Sequence, residues 1–376
     1  MLRLLFLLTA LYTPFHSLFG QAKAKKYVII GYTSGDVKKQ NIEAEKLTHL
    51  NYAFAVPAAN GELEKPSRQD SINLLTLNTL RIRNKDLKIL ISIGGWGGCK
   101  YFSDAALTDA SRLKFANSAI AFMKKFKLDG VDIDWEYPAQ IGDNNIFRPE
   151  DKQNYTLLLK TLREKLTIQA ATDKRPANNP YLLTTATGVD TAFVNHTELG
   201  KAQQYLDYIN IMTYDIYHGN DKVTGHHSNL YQSAKGNQSR NSSADGVKGH
   251  IVAGVPANKI VLGLPFYGRS WTGVKDQEQG LYQPATGKHD FISYDVLATS
   301  YINKNGFSRY WDEQAKAPYL WNPVSRTFIT YADVESFTYK TEYVKSTGLA
   351  GVMFWEYGLD MQQKKLLNKL YQDLAK

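Results

Sequence analysis

Short apolar runs rich in β-branched and aromatic residues recur along the chain, and between most of them the apolar positions space out at helical intervals. The runs are Tyr27–Tyr32, Leu50–Ala55, Lys88–Ile93, Gly130–Trp135, Leu182–Thr187, Tyr208–Tyr214, Ile260–Leu264 and Gly351–Phe354, and each reads as a strand. Amphipathic stretches at Asp104–Phe126 and Asp151–Ile168 read as helices, with Asp104 and Asp151 where N-caps belong, and Leu359–Leu374 follows the last strand. Strand–helix alternation repeated this way predicts an α/β fold with a parallel sheet, and eight such units close into a (β/α)8 TIM barrel. An open doubly wound sheet competes, but it calls for a Gly-rich phosphate loop after its first strand, and Gly31-Tyr-Thr-Ser-Gly35 is not one.

Two connections break the alternation. Between Tyr214 and Ile260 a polar stretch rich in Gly, Asn and Ser (Gly219–Gly246) precedes a short helix. Between Arg269 and Asp333 more than sixty residues lack sustained helical periodicity and carry Trp271, Tyr282, Phe291, Tyr294, Tyr301, Tyr310, Trp311, Tyr319, Trp321 and Phe328. A structureless loop of that size does not fit a compact domain, so residues 269–332 are expected to form a small α+β insertion domain between strand seven and helix seven. The barrel is then residues 23–268 and 333–376. His226 and His227 tempt a metal reading, but adjacent side chains point apart, and a solvated loop is the expectation.

Composition narrows the class. The chain has 376 residues, 43% hydrophobic and 22% charged, enough for a large core. Arg3 followed by the apolar run Leu4–Leu11 and the small residues Gly20 and Ala22 reads as a signal peptide over residues 1–22, too short to span a membrane. A secreted protein, extracellular or periplasmic, free of the membrane after cleavage and monomeric, is expected. The net charge of +9 is scattered, with no basic block beyond residues 23–26, so nucleic acid is not an expected partner. Cys99 is the only cysteine, so no intramolecular disulfide can form. No nicotinamide, flavin or metal motif is found, and no cofactor is expected.

The chemistry concentrates in residues 129–136, Asp-Gly-Val-Asp-Ile-Asp-Trp-Glu. In a strand, Asp132, Asp134 and Glu136 share one face with Gly130, while Val131, Ile133 and Trp135 take the other. Successive carboxyls then lie roughly 6–7 Å apart along the strand. Three adjacent carboxyls cannot all ionise comfortably, which favours proton chemistry. A solvated acidic edge fits the apolar neighbours badly, and a cation site lacks further ligands at the right spacing. A charged Asp134 beneath Glu136 is expected to raise the glutamate's pKa and keep it protonated as a general acid.

The octet matches Asp-x-x-Asp-x-Asp-x-Glu, the signature of the family 18 glycoside hydrolases, the chitinase family. From about Tyr27 to Leu374 the chain resembles that family in order. Ser92-Ile-Gly-Gly95 with Trp96, Met212-Thr-Tyr-Asp215, Tyr267-Gly-Arg269 and Gly351-Val-Met-Phe-Trp355-Glu are similar to its other strand-end motifs. The resemblance implies a chitinase acting on chitin or chitooligosaccharides with retention, by a substrate-assisted route. It makes Glu136 the acid, gives Asp134 the acetamido N–H of the substrate, lets Asp132 share the proton of Asp134, and points Tyr214 at the acetamido carbonyl. It further implies that Asp215 positions the sugar, that Trp355 floors the central subsite, and that Met212, Trp96, Tyr32, Phe54, Tyr267 and Arg269 line the cleft. Eukaryotic secreted relatives usually carry disulfides, so the lone Cys99 points to a bacterial source. Non-proline cis peptides at Ala53–Phe54 and Trp355–Glu356 are implied as well. Two other readings stay open: an endo-β-N-acetylglucosaminidase acting on N-glycans, and a non-catalytic chitin-binding lectin.

Overall fold

The computed structural model describes residues 27–375, so the expected signal peptide lies outside the described residues. Seven strands, β1 (Val28–Thr33), β2 (His49–Ala55), β3 (Lys88–Gly94), β4 (Gly130–Asp134), β5 (Leu182–Gly188), β6 (Tyr208–Met212) and β7 (Ile260–Pro265), join β13 (Gly351–Trp355) in a closed barrel. The strands numbered between β7 and β13 belong to a second sheet. Every barrel pairing is parallel, in the order β1-β13-β7-β6-β5-β4-β3-β2. The eight apolar runs are thus the eight staves, with ends shifted by a residue or two.

Period-two alternation explains how β4 serves both sides of its wall. Val131 and Ile133 are fully buried against the helical layer. Trp135, just past the strand, stacks on Phe102 with ring centroids 5.2 Å apart and meets Tyr155 edge-on. The opposite face sends Asp132 and Asp134 inward, in register with Ser92 and Gly94 of β3. Burying each such apolar side chain is worth about 1.5–3 kcal/mol, and that is what fixes the strand's register.

The helix expected over Asp104–Phe126 is two helices, Phe102–Ala106 and Asp109–Lys125. Thr108 caps the second: its hydroxyl accepts from the Ser111 amide, and the Ser111 hydroxyl accepts from the Thr108 amide. A capping box outranks apolar periodicity as a start signal, and Asp104 instead pairs with Arg148 at 2.6 Å. Asp151 begins the helix Asp151–Thr172 but is not its cap. It is buried, accepting from the Ser103 hydroxyl at 2.6 Å and the Arg148 amide at 2.8 Å.

After Pro265 the chain turns into an antiparallel sheet of β8 (Tyr267–Trp271), β9 (His289–Ser293), β10 (Ser308–Asp312), β11 (Ala317–Asn322) and β12 (Thr327–Thr330), ordered β10-β11-β12-β8-β9. A helical turn, Tyr294–Val296, follows β9, and the helix Val334–Thr347 resumes the barrel layer. Trp271, Tyr319, Trp321 and Phe328 form a small core that also takes Ile216 and Tyr217 from the connection after β6. His226 and His227, expected in a solvated loop, are fully buried. They do point apart, the first to Asp312 of β10 and the second toward Asp215. Ala53–Phe54 and Trp355–Glu356 are cis, and so is Glu136–Tyr137.

Candidate active site

The C-terminal ends of the barrel strands open into a cleft of about 1030 Å³, walled on one side by β8 and β9 of the second sheet. At its floor the end of β3 comes extremely close to the end of β4. Gly94, at φ +114°, would place a Cβ 2.0 Å from the Asp134 carbonyl, and one on Gly95 would strike the Phe54 ring. Only glycine lets these backbones meet.

The carboxyl stack descends from cleft to core. Glu136 lines the cleft and is 8% exposed. Burial raises its pKa, the neighbouring Tyr137 pulls the other way, and the charge of Asp215 adds to the rise, leaving Glu136 at about 7. Burial leads, Asp215 supplies a facing charge that sequence reasoning did not foresee, and Glu136 and Asp134 each disfavour the other's ionisation. Asp134, behind Glu136, is itself raised well above the carboxylate range by burial and then by the charges of Glu136 and Asp132. Its Oδ1 is buried without a hydrogen-bond partner among the described residues. Asp132 lies deepest. It accepts from the Tyr32 hydroxyl (2.8 Å), the Ser92 hydroxyl (2.8 Å), the Thr184 hydroxyl and the Asn210 amide (3.3 Å). Burial still lifts its pKa against those four bonds.

Facing the stack, Asp215 takes both Nε and Nη2 of Arg269 at 2.8 Å each, a bidentate pair linking the barrel mouth to the sheet wall. Burial opposes its ionisation, but His227 and the Arg269 guanidinium hold its carboxyl well below the usual range. Among the described residues the Tyr214 hydroxyl has only the Met353 sulfur, 3.9 Å away. Trp355 stacks on Phe54 at 5.5 Å and leans on Tyr32 at 5.9 Å, which fixes its indole as one surface of the cleft. Trp96, 55% exposed, stands at the rim against Tyr137.

The structure brings Glu136, Asp134, Tyr214, Asp215, Met212, Trp96, Tyr32, Phe54, Tyr267, Arg269 and Trp355 into this one cleft, with Asp132 directly beneath. Sequence reasoning missed Tyr137, Asp190, His218, Asn220, His289 and Phe291, which also line it. Tyr137 was within reach, being the residue after Glu136. Phe291 stacks on Tyr267 at 4.6 Å only because β9 pairs with β8, a contact no local pattern announces. Among the described residues no group of His, Cys, Asp or Glu is placed to hold a metal ion, and no helix is long and apolar enough to cross a membrane.

Comparison with known proteins agrees with this geometry. The family description "Glycosyl hydrolases family 18" matches residues 28–360. Chitinase A1 of Niallia circulans is 41% identical over 93% of this chain, which spans 59% of that protein's length. Chitinase B of Serratia marcescens is 32% identical over 87% of this chain and 76% of its own length. The solved structure of a family 18 N-acetylglucosaminidase from Paenibacillus barengoltzii superposes with a TM-score of 0.86 at 44% identity, covering 93% of this chain and all of that one.

Proposed function

The chain belongs to family 18 of the glycosyl hydrolases, and from that premise we propose that it is a secreted chitinase cleaving β-1,4-linked N-acetylglucosamine chains with retention, by substrate-assisted catalysis. One observation carries the mechanism. Beside the acid Glu136 the cleft holds one acceptor and one donor with little else to bind: Asp134 Oδ1, without a partner, and the Tyr214 hydroxyl, with only a distant sulfur. A 2-acetamido group offers one N–H and one carbonyl, which is the complement of that pair.

The steps follow from the groups present. Glu136 gives its proton to the glycosidic oxygen as the bond to the anomeric carbon breaks. The acetamido carbonyl oxygen, steered by Tyr214, forms a bond to that carbon from the opposite face. Asp134 accepts the acetamido N–H and stabilises the resulting oxazolinium, with Asp132 sharing the proton that Asp134 holds beforehand. Water then attacks the anomeric carbon from the side of the departed sugar and loses its proton to Glu136, which restores the acetamide and gives the β-anomer. A protein nucleophile is disfavoured. Asp134 lies on the same strand as the acid, and both oxygens of Asp215 are occupied by Arg269. Trp355, stacked on Phe54, offers an apolar face for the central sugar.

Secretion rests on the leader pattern of residues 1–22. A lectin role fits poorly with a glutamate held near neutrality in the cleft. The test uses partially deacetylated chitosan. New reducing ends should all be N-acetylglucosamine, β-anomer first, and fully deacetylated chitosan should survive. Abundant glucosamine ends or initial α-anomer would refute the mechanism. The length distribution of products from chitohexaose separates chain cleavage from removal of single sugars.

A further inference from the structure

Outside the carboxyl stack, the side chain most in need of a reason is Lys340. It lies on the helix Val334–Thr347 and is fully buried. Its ammonium donates to the Ser228 carbonyl at 2.6 Å and the Ser228 hydroxyl at 2.7 Å. Burial brings it down to about 7, against the pull of Asp333. Asp333 itself is engaged by Arg309 at 2.8 Å. Among the described residues Lys340 has no ion-pair partner, and burying an ammonium that way is costly, so a lysine here is an expensive way to fill space.

What Lys340 holds is a strap beneath the cleft. The Ser228 hydroxyl, receiving from Lys340, donates in turn to the Thr213 carbonyl at 2.7 Å. One residue earlier, the His227 carbonyl accepts from the Ile216 amide at 3.1 Å, and the His227 amide donates to the Thr330 hydroxyl of β12 at 3.1 Å. The strap therefore bonds the backbone at 213 and at 216 and brackets Tyr214 and Asp215 between them. That stretch needs holding, because Asp215 has φ +56°, a left-handed conformation that a non-glycine residue adopts at a cost.

We propose that Lys340 is a positioning residue for the reaction: acting through Ser228, which bonds the backbone at Thr213, it fixes the stretch from which Tyr214 meets the substrate. This rests on the role given to Tyr214 above. Loosening the strap lets the Tyr214 hydroxyl wander from the acetamide carbonyl, and a misplacement of about 1 Å can cost as much as 100-fold in rate.

Lys340→Met and Ser228→Ala are made singly and again in a Tyr214→Phe background, with rates measured on a fluorogenic chitobioside and thermal midpoints recorded for each. Each single variant should lower kcat about tenfold or more with KM within about threefold, yet lose less than about twofold further when Tyr214 is already phenylalanine, since partners in one unit are non-additive. Full, multiplicative losses on the Tyr214→Phe background would assign Lys340 a structural role and overturn this inference alone. Should Lys340→Met not fold, Ser228→Ala carries the test, and a kcat within about twofold of wild type there overturns it equally. Wild-type rates for Tyr214→Phe would overturn the role of Tyr214 and this inference with it.

Discussion

Glu136→Gln should yield an enzyme without turnover that is nonetheless more stable than the native one, by an amount set by pH. The folded chain raises this carboxyl from 4.5 to about 7. Below pH 4.5 both folded and unfolded chains carry the proton, and the glutamate and glutamine proteins should be equally stable. As pH rises above 4.5 the unfolded chain releases its proton while the folded chain keeps it, so native stability falls until pH passes about 7 and then levels off. At about 1.4 kcal/mol per pH unit, the interval corresponds to about 3 kcal/mol. Glu136 is 8% exposed, so solvent screening removes little of it. Glutamine never ionises and should escape the loss. It also lifts one of the charges that disfavour ionised Asp134, which works in the same direction. Thermal unfolding of both proteins at pH 4.5, 6, 7 and 8 is the assay. The midpoint difference should be near zero at the acid end and grow steadily, reaching on the order of 5 °C in thermal midpoint. A difference independent of pH, or a native protein more stable at pH 8, would refute the reasoning. Binding of chitooligosaccharide by Glu136→Gln should stay near the native level.

Because Glu136 must hold its proton to act, kcat/KM should fall on the basic side with a limb near 7, and rates flat to pH 9 would contradict that. Asp134→Asn removes the charge opposite the oxazolinium, so kcat should drop about 100- to 1000-fold, read from initial rates on a chitobioside; a loss of only a few-fold would exclude the role. Trp355→Ala deletes the face stacked on Phe54 and should raise KM and lower kcat together, whereas a change confined to either one would argue against a shared binding and shaping role.

The barrel was legible because its signal is local: Val131, Ile133 and Trp135 alternate with Asp132, Asp134 and Glu136, and burial on one face leaves the acids only the other. The cleft residues at the strand ends were legible for the same reason, each lying at the end of a recognisable run. Misreadings arose where distant chain decides. His226 and His227 sit in a polar stretch, but the second sheet closes over them, with Asp312 of β10 meeting the first and Tyr267 of β8 the second. Thr108 divides a helix that apolar spacing alone would join. Part of the charge acting on Glu136 belongs to Asp215, brought across the cleft from another strand, where sequence proximity pointed to Asp134 alone.

The second sheet leaves the barrel and returns to it through neighbouring strands. β8, which carries the chain out, pairs with β12, which brings it back, with Arg269 opposite Thr330 and Trp271 opposite Phe328. To the barrel the whole excursion is one closed loop with its ends already fastened. The part that touches the chemistry, Tyr267 and Arg269, lies at the fastened end, whereas β10, β11 and the turns between them lie beyond it. β10 reaches back at two points, Asp312 to His226 and Arg309 to Asp333, while β11 and the turns beyond it carry no residue that lines the cleft among those described. Change confined to that outermost stretch therefore leaves in place both the groove wall, built by β8 and β9, and the arginine that grips Asp215.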